Sequence, residues 1–247
     1  MKTDYPIRLQ SYLAKSGFGS RRACEKLIEE GRVSVNLKKV TTLGTKVEAD
    51  DIVMVDNQLA EIVEQAYYYA LHKPQGYVST NWDPNESRYA RDLITVPHKD
   101  LLFSVGRLDK DSTGLLLFTN DGERANQIMH PSFEIEKEYT VQTRENIDRR
   151  DLERALRGLK LDAGRPYKII RFELKSKRWV NITLIEGKNR EIRKIFDHFG
   201  YKIDKLIRIR IGTIHLDDLK LGQYRVVSKG EIGALLERKS ERKTKRG

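Results

Sequence analysis

Asp109 and Asp111 flank a lysine in the polar run Gly106-Arg107-Leu108-Asp109-Lys110-Asp111-Ser112-Thr113-Gly114. A loop carboxylate can attack or deprotonate a substrate, hold a cation, or cap backbone N–H groups. Counted from Asp109, a calcium-binding loop wants acids or amides at positions one, three and five, glycine at six and glutamate at twelve. Gly114 fits, but position five is Thr113 and position twelve is Asn120, so the bidentate ligand is missing. The chain has no Walker loop, no dinucleotide-binding glycine fingerprint and no cysteine-rich zinc spacing, since Cys24 is its one cysteine.

The elements that must position this loop are legible on both sides. Thr113 to Thr119 reads as a buried strand, Asn120-Asp121-Gly122 as a turn, and Glu123 to His130 as a helix. Upstream, Tyr67 to Leu71 reads as a strand ended by the turn His72-Lys73-Pro74-Gln75-Gly76, with extended structure again at Tyr77 to Thr80. Downstream, Ile192, Ile195, Phe196 and Phe199 form an i, i+3, i+4, i+7 stripe, with Asn189 placed to cap that helix and Gly200 to stop it. Arg190 and Arg193 project from another face of it. Lys205 to Gly212 alternates polar and apolar residues with period two, as a half-buried strand does. The Asp-x-Asp-x-Thr spacing is also that of haloacid-dehalogenase-type phosphatases, but there the first aspartate ends a buried strand, whereas here the strand follows.

Gly106-Arg107-Leu108-Asp109 followed by Thr113-Gly114-Leu115 resembles the catalytic-aspartate motif of RNA pseudouridine synthases. The continuation to Asn120-Asp121-Gly122 is similar to the RsuA family of ribosomal RNA enzymes. Lys73-Pro74-x-Gly76 upstream, Glu136-Lys137-x-Tyr139 downstream and Gly187-Lys188-Asn189-Arg190-Glu191-Ile192-Arg193-Lys194 beyond stand in the expected order. The resemblance spans about residues 67–232. It implies an α+β catalytic domain with a mainly antiparallel mixed sheet.

It also implies site-specific conversion of uridine to pseudouridine in ribosomal RNA, with the large subunit favoured by Ile195-Phe196-Asp197-His198-Phe199-Gly200 and Leu206-Ile207-Arg208-Ile209-Arg210. The reaction uses no redox step or group donor, so no cofactor and no metal are expected. Carried over by position, Asp109 is the nucleophile or base, Tyr139 stacks on the extruded uracil, and Arg193 is the cation that offsets desolvation of the aspartate. Arg107, Leu206 and Arg208 support the pocket, and Lys188 and Arg190 contact RNA. Glu191 departs from the family, in which glutamine is commoner. The alternative from another functional class is a non-catalytic ribosomal-RNA-binding assembly factor on the same fold.

Near the start, Ser20 precedes Arg21 to Glu30 with Gly31 after it: an N-cap, a helix and a C-terminal glycine in order. Ala23 and Leu27, with Cys24 and Ile28, form its apolar stripe, which makes Cys24 a core residue. A shorter helix spans Arg8 to Lys15, and strands are expected at 32–36 and 51–56. Arg8-Leu9, Ser20-Arg21-Arg22-Ala23, Leu27-Ile28 and Gly31-Arg32-Val33-x-Val35-Asn36 resemble the S-four-type RNA-binding domain, a small α+β unit. The resemblance implies RNA backbone contacts from Arg8, Arg21, Arg22 and Arg32.

The whole chain of 247 residues carries 47 basic and 36 acidic side chains, net +11, which favours a polyanionic partner. The excess is uneven. Residues 188–247 hold seventeen basic against eight acidic, and residues 8–39 hold eight against three, hidden behind acidic neighbours. The expected organisation is an RNA-binding domain at 1–62, a catalytic domain at 63–233, and a basic disordered tail at 234–247. With no apolar leader and no membrane-length apolar run, a cytoplasmic monomer is expected, acting on ribosomal RNA or an assembling ribosomal subunit.

Overall fold

The computed structural model describes residues 4–81 and 83–244. The chain forms two compact units. The first runs to Tyr67 and includes Val96–Leu102 and Thr119–Asp121; the second takes Tyr68–Thr95, Phe103–Phe118 and everything from Gly122. The division therefore falls five residues beyond the expected one. The Tyr67 N–H donates to Asn120 Oδ1 at 2.9 Å, the Asn120 amide donates to the Gln65 carbonyl at 2.8 Å, and the Tyr67 ring stacks on His98.

The first unit consists of β1 (Ile7–Arg8), α1 (Leu9–Lys15), α2 (Arg21–Glu29), β2 (Val33–Val35), β3 (Lys38–Val40), β4 (Lys46–Val47), β5 (Val53–Val55) and β6 (Gln58–Leu59). Ser20 caps α2 as expected, its Oγ accepting from the Ala23 N–H at 3.2 Å. Gly31, at φ +66°, turns the chain toward β2. Leu9, Leu13, Cys24, Ile28, Val33 and Val53 form the core, and burial pushes the Cys24 thiol up to about 11. Strands β3-β2-β5-β6 make an antiparallel sheet, while β1 pairs with β4 and sets Arg8 opposite Lys46.

The second unit consists of β7 (Tyr68–Lys73), β8 (Phe103–Val105), β9 (Thr113–Thr119), α3 (Gly122–Met129), β10 (Lys137–Thr143), α4 (Arg149–Arg157), β11 (Arg171–Leu174), β12 (Trp179–Leu184), α5 (Glu191–His198), β13 (Ile203–Ile211), β14 (Ile214–His215), β15 (Tyr224–Val226) and α6 (Lys229–Thr244). The sheet order is β11-β12-β10-β13-β9-β7-β15, with β14 on β13 and β8 on β9. Strand β10 is antiparallel to β12 and β13, whereas β13 and β9 are parallel, pairing Ile207 with Thr113 and Arg208 with Gly114. The α+β class and the mainly antiparallel mixed sheet are as expected. Strand β9 is a central strand flanked on both sides, which is why Gly114 to Phe118 is buried without alternation.

Three local expectations change. Strand β13 does not bury its isoleucines and expose its basic residues: Leu206, Arg208 and Arg210 are buried, while Ile207 and Ile209 are half-buried. A register shift between Glu138 and Tyr139 leaves Ile209 without a cross-strand partner. Such a bulge re-aims neighbouring side chains; Arg208 then meets the Asp109 loop, and Arg210 pairs with Glu136 and Glu138 at 3.1 and 2.8 Å. Strand β7 runs two residues past its expected end and carries Lys73 into the interior. Finally, α6 continues through 234–244 where a disordered tail was expected, because Ile232 and Leu235 are buried on one helical face. The rest of that expected tail, 245–247, lies outside the described residues.

Candidate active site

The Asp109 loop is held from below by main-chain and side-chain bonds. Ser79 Oγ accepts from the Leu108 N–H and donates to the Leu108 carbonyl, at 3.0 and 2.9 Å. The Ser112 N–H closes a turn on the Asp109 carbonyl at 3.0 Å, and the Gly76 N–H donates to the Lys110 carbonyl at 2.8 Å. Lys73 is fully buried, and its Nζ donates to the carbonyls of Pro74, Lys110 and Ser112. Burial lowers its pKa to about 8, against partial support from Asp111 and Asp109. Arg208, 2% exposed, reaches from β13 to the carbonyls of Leu115 at 2.7 Å and Arg107 at 3.3 Å, so it ties both ends of the loop.

On this platform the Asp109 carboxylate, 35% exposed, meets two arginines from the start of α5. Arg193 Nε lies 3.7 Å and Arg190 Nη1 3.9 Å from the same oxygen, Oδ2. Arg193 Nη2 also donates to Ser112 Oγ at 3.4 Å. Among the described residues the carboxylate accepts no hydrogen bond, so it caps nothing. Its oxygens are open to a substrate, as a group that attacks or takes a proton requires.

Seven of the residues singled out in the sequence, Arg107, Asp109, Tyr139, Lys188, Arg190, Arg193 and Leu206, line one open cleft together with Leu184 and Ile192. Tyr139 is buried on β10, opposite Arg208 in the register. Arg208 lies beneath the loop and does not line the cleft. Apolar walls around a carboxylate, guanidinium groups and a tyrosine suit a planar polar ring attached to an anion.

The expected Asn189 cap is absent. Arg190 is the N-cap residue of α5, in the left-handed region at φ +51° and with no side-chain cap bond. Glu191, the first residue of α5, instead ties down the loop before the helix, its Oε2 accepting from the Lys188 N–H at 3.0 Å. Burial raises the Glu191 pKa. Burial likewise lowers Lys137, on β10, to about 8, and Arg208 adds to that shift while Glu191 opposes it. Lys188 is turned into the protein, its Nζ donating to the Arg165 and Pro166 carbonyls at 2.7 Å each.

In the first unit, Arg8, Arg21 and Arg22 are exposed. Arg32 is also exposed but already paired, donating to Asp56 through Nε and Nη2 and to Glu30 through Nη1. Sequence reading passed over Lys73, Ser79, Ser112 and Gly114 as site residues. The signal for Lys73 was its place at the end of an apolar strand before proline; a loop serine such as Ser79 carried none. Among the described residues, no three His, Cys, Asp or Glu side chains come together as metal ligands do, and no helix is long and apolar enough to cross a membrane.

The family described as RNA pseudouridylate synthase matches residues 67–198, and the S4 domain matches residues 7–53. An uncharacterized RNA pseudouridine synthase of Borreliella burgdorferi is 39% identical over 235 residues, 94% of each chain. The ribosomal large subunit pseudouridine synthase B of Bacillus subtilis is 38% identical over 235 residues, covering 92% of this chain and 95% of that protein. A crystal structure of a pseudouridylate synthase superposes with a TM-score of 0.69 at 29% identity, covering 93% of this chain and 99% of the other.

Proposed function

Because the chain belongs to the RNA pseudouridine synthase family, we propose that it isomerises specific uridines to pseudouridine in ribosomal RNA of the large subunit, with Asp109 as nucleophile or base. The observation that carries this is the Asp109 carboxylate, free of hydrogen bonds, facing two arginines in a cleft that also holds Tyr139. The reaction breaks the bond between ribose C1′ and uracil N1, turns the base, and joins C1′ to C5. The C5 proton leaves and N1 gains one, so the product is an isomer and no donor is consumed.

Asp109 acts at the sugar or the ring, Arg193 faces it as its counter-charge, and Tyr139 stacks on the base once it leaves the helix or loop that carried it. Arg107 and Leu206 shape the cleft and Arg208 fixes the loop. Arg190 faces the RNA, as do Arg8, Arg21 and Arg22 in the first unit. The protein works as a cytoplasmic monomer without metal or cofactor. The large-subunit assignment rests on the Bacillus subtilis relative.

The test is tritium release from ribosomal RNA labelled at uracil C5. Wild-type protein releases tritium, and Asp109→Asn releases none while still binding the RNA in a filter assay. A wild-type protein that binds but releases nothing would be a non-catalytic ribosomal-RNA-binding assembly factor instead.

A further inference from the structure

The wall that presents Arg190 and Arg193 to Asp109 is clasped from behind. Tyr167, buried in the loop between α4 and β11, has Lys188 Nζ 4.8 Å and Lys194 Nζ 5.1 Å from its ring centroid. Its hydroxyl donates to Asp162 Oδ2 at 2.5 Å and accepts from Lys194 Nζ at 2.8 Å. The backbone of Tyr167 pairs with Leu159 in both directions at 2.8 Å, which closes the loop on itself.

Lys188 has three N–H donors. Two go to the carbonyls of Arg165 and Pro166, and Nζ lies 3.5 Å from Glu186. Its side chain is only 21% exposed. A lysine with two donors on carbonyls, its charge shared between Glu186 and an aromatic ring, has little left for a phosphate. Arg190, 51% exposed and 3.9 Å from Asp109, its one ion-pair partner among the described residues, keeps most of its donors free.

We propose that Tyr167 is a positioning residue which, through Lys188 and Lys194, fixes segment 187–194 so that Arg190 and Arg193 stay on Asp109, and that Lys188 serves this clasp and not the RNA backbone. The proposal rests on the catalytic reading of Asp109. It corrects the expectation that Lys188 and Arg190 contact RNA alike. The chemistry of the clasp is local: one buried ring and hydroxyl joining a lysine before α5 to a lysine within it.

The experiment compares wild type, Tyr167→Phe and Lys188→Met on a labelled ribosomal RNA fragment over a salt series, with amide hydrogen exchange on the same full-length proteins. Tyr167→Phe keeps the ring and loses only the hydroxyl, so folding is preserved. The expected result is kcat lowered about 10-fold in both variants, with KM and the salt slope of kcat/KM unchanged and faster exchange at residues 187–191. A salt slope shallower by about 0.7 in Lys188→Met, the value for one lost single-strand phosphate contact, would overturn the proposal. So would unchanged exchange in both variants. If wild type shows no turnover, the catalytic reading fails by itself, and the exchange data still decide whether the clasp exists.

Discussion

Arg193 and Arg190 approach the same oxygen of Asp109 at nearly equal distance but differ in burial, with side chains 15% and 51% exposed. Exposed charge pairs are screened more than partly buried ones, so the Arg193 pair is the stronger of the two. Arg193→Ala should lower the single-turnover rate on the order of 100-fold, the loss typical of one preorganised charge partner. Affinity for RNA, measured by filter binding, should change little. A larger loss of affinity than of rate would move Arg193 from the aspartate to the substrate. At this scale Asp109, Tyr139 and Arg193 were legible because motif order survives in sequence. The pairing of Arg32 with Asp56 was not, because the two residues lie 24 positions apart and meet only when β2 and β5 pair.

Strand β9 enters the sheet beside β13 at Gly114, where a Cβ would lie 2.3 Å from the Arg208 carbonyl oxygen and 2.4 Å from its nitrogen. The glycine is also at φ +112°. Both neighbours are backbone and cannot swing away. Gly114→Ala should therefore destabilise the protein by about 3 kcal/mol, read as a drop in the urea midpoint, and should abolish turnover by shifting the loop that carries Asp109, five residues earlier. Wild-type stability in that variant would mean the two strands can separate freely. Helices α1, α2 and α5 were legible in the sequence from their apolar residues, α2 from its Ser20 cap as well, and β9 from its continuous apolar run. The bulge in β13 was not, since period-two alternation says which residues share a face but not where the partner strand skips one. The cap of α5 was missed for a related reason: Asn189 has the right side chain, but the chain turns one residue later, at Arg190.

Two lysines of the second unit, the fully buried Lys73 and the half-buried Lys137, are each held near 8, below their unfolded value of 10.5. Between those values the unfolded chain binds the extra protons, so stability rises with pH across that window. The melting temperature of wild type relative to Lys73→Met should therefore increase from about pH 8 to about pH 10. A constant difference would show that Lys73 is not desolvated. Charge at the other end of the chain has a different readout. Arg21 and Arg22 stand at the capped start of α2, exposed and without an ion pair among the described residues. Replacing both with alanine should weaken RNA binding and reduce the slope of log affinity against log salt by roughly 1.4; an unchanged slope would remove them from the RNA contact.

The sheet order also has a temporal side. Strand β13 stands between β10 and β9, yet it is formed by residues 203–211, after both of its neighbours in the chain. During synthesis the small N-terminal unit has its own strands and core complete by residue 60. The halves of the large sheet wait, unjoined, for a strand that emerges after both of them, and such non-local closure is slow. Arg208 arrives with that strand. A nascent chain can thus complete its S4 domain while the loop bearing Asp109 still lacks the arginine that ties down both its ends; under the proposed function, competence to bind RNA then precedes competence to react.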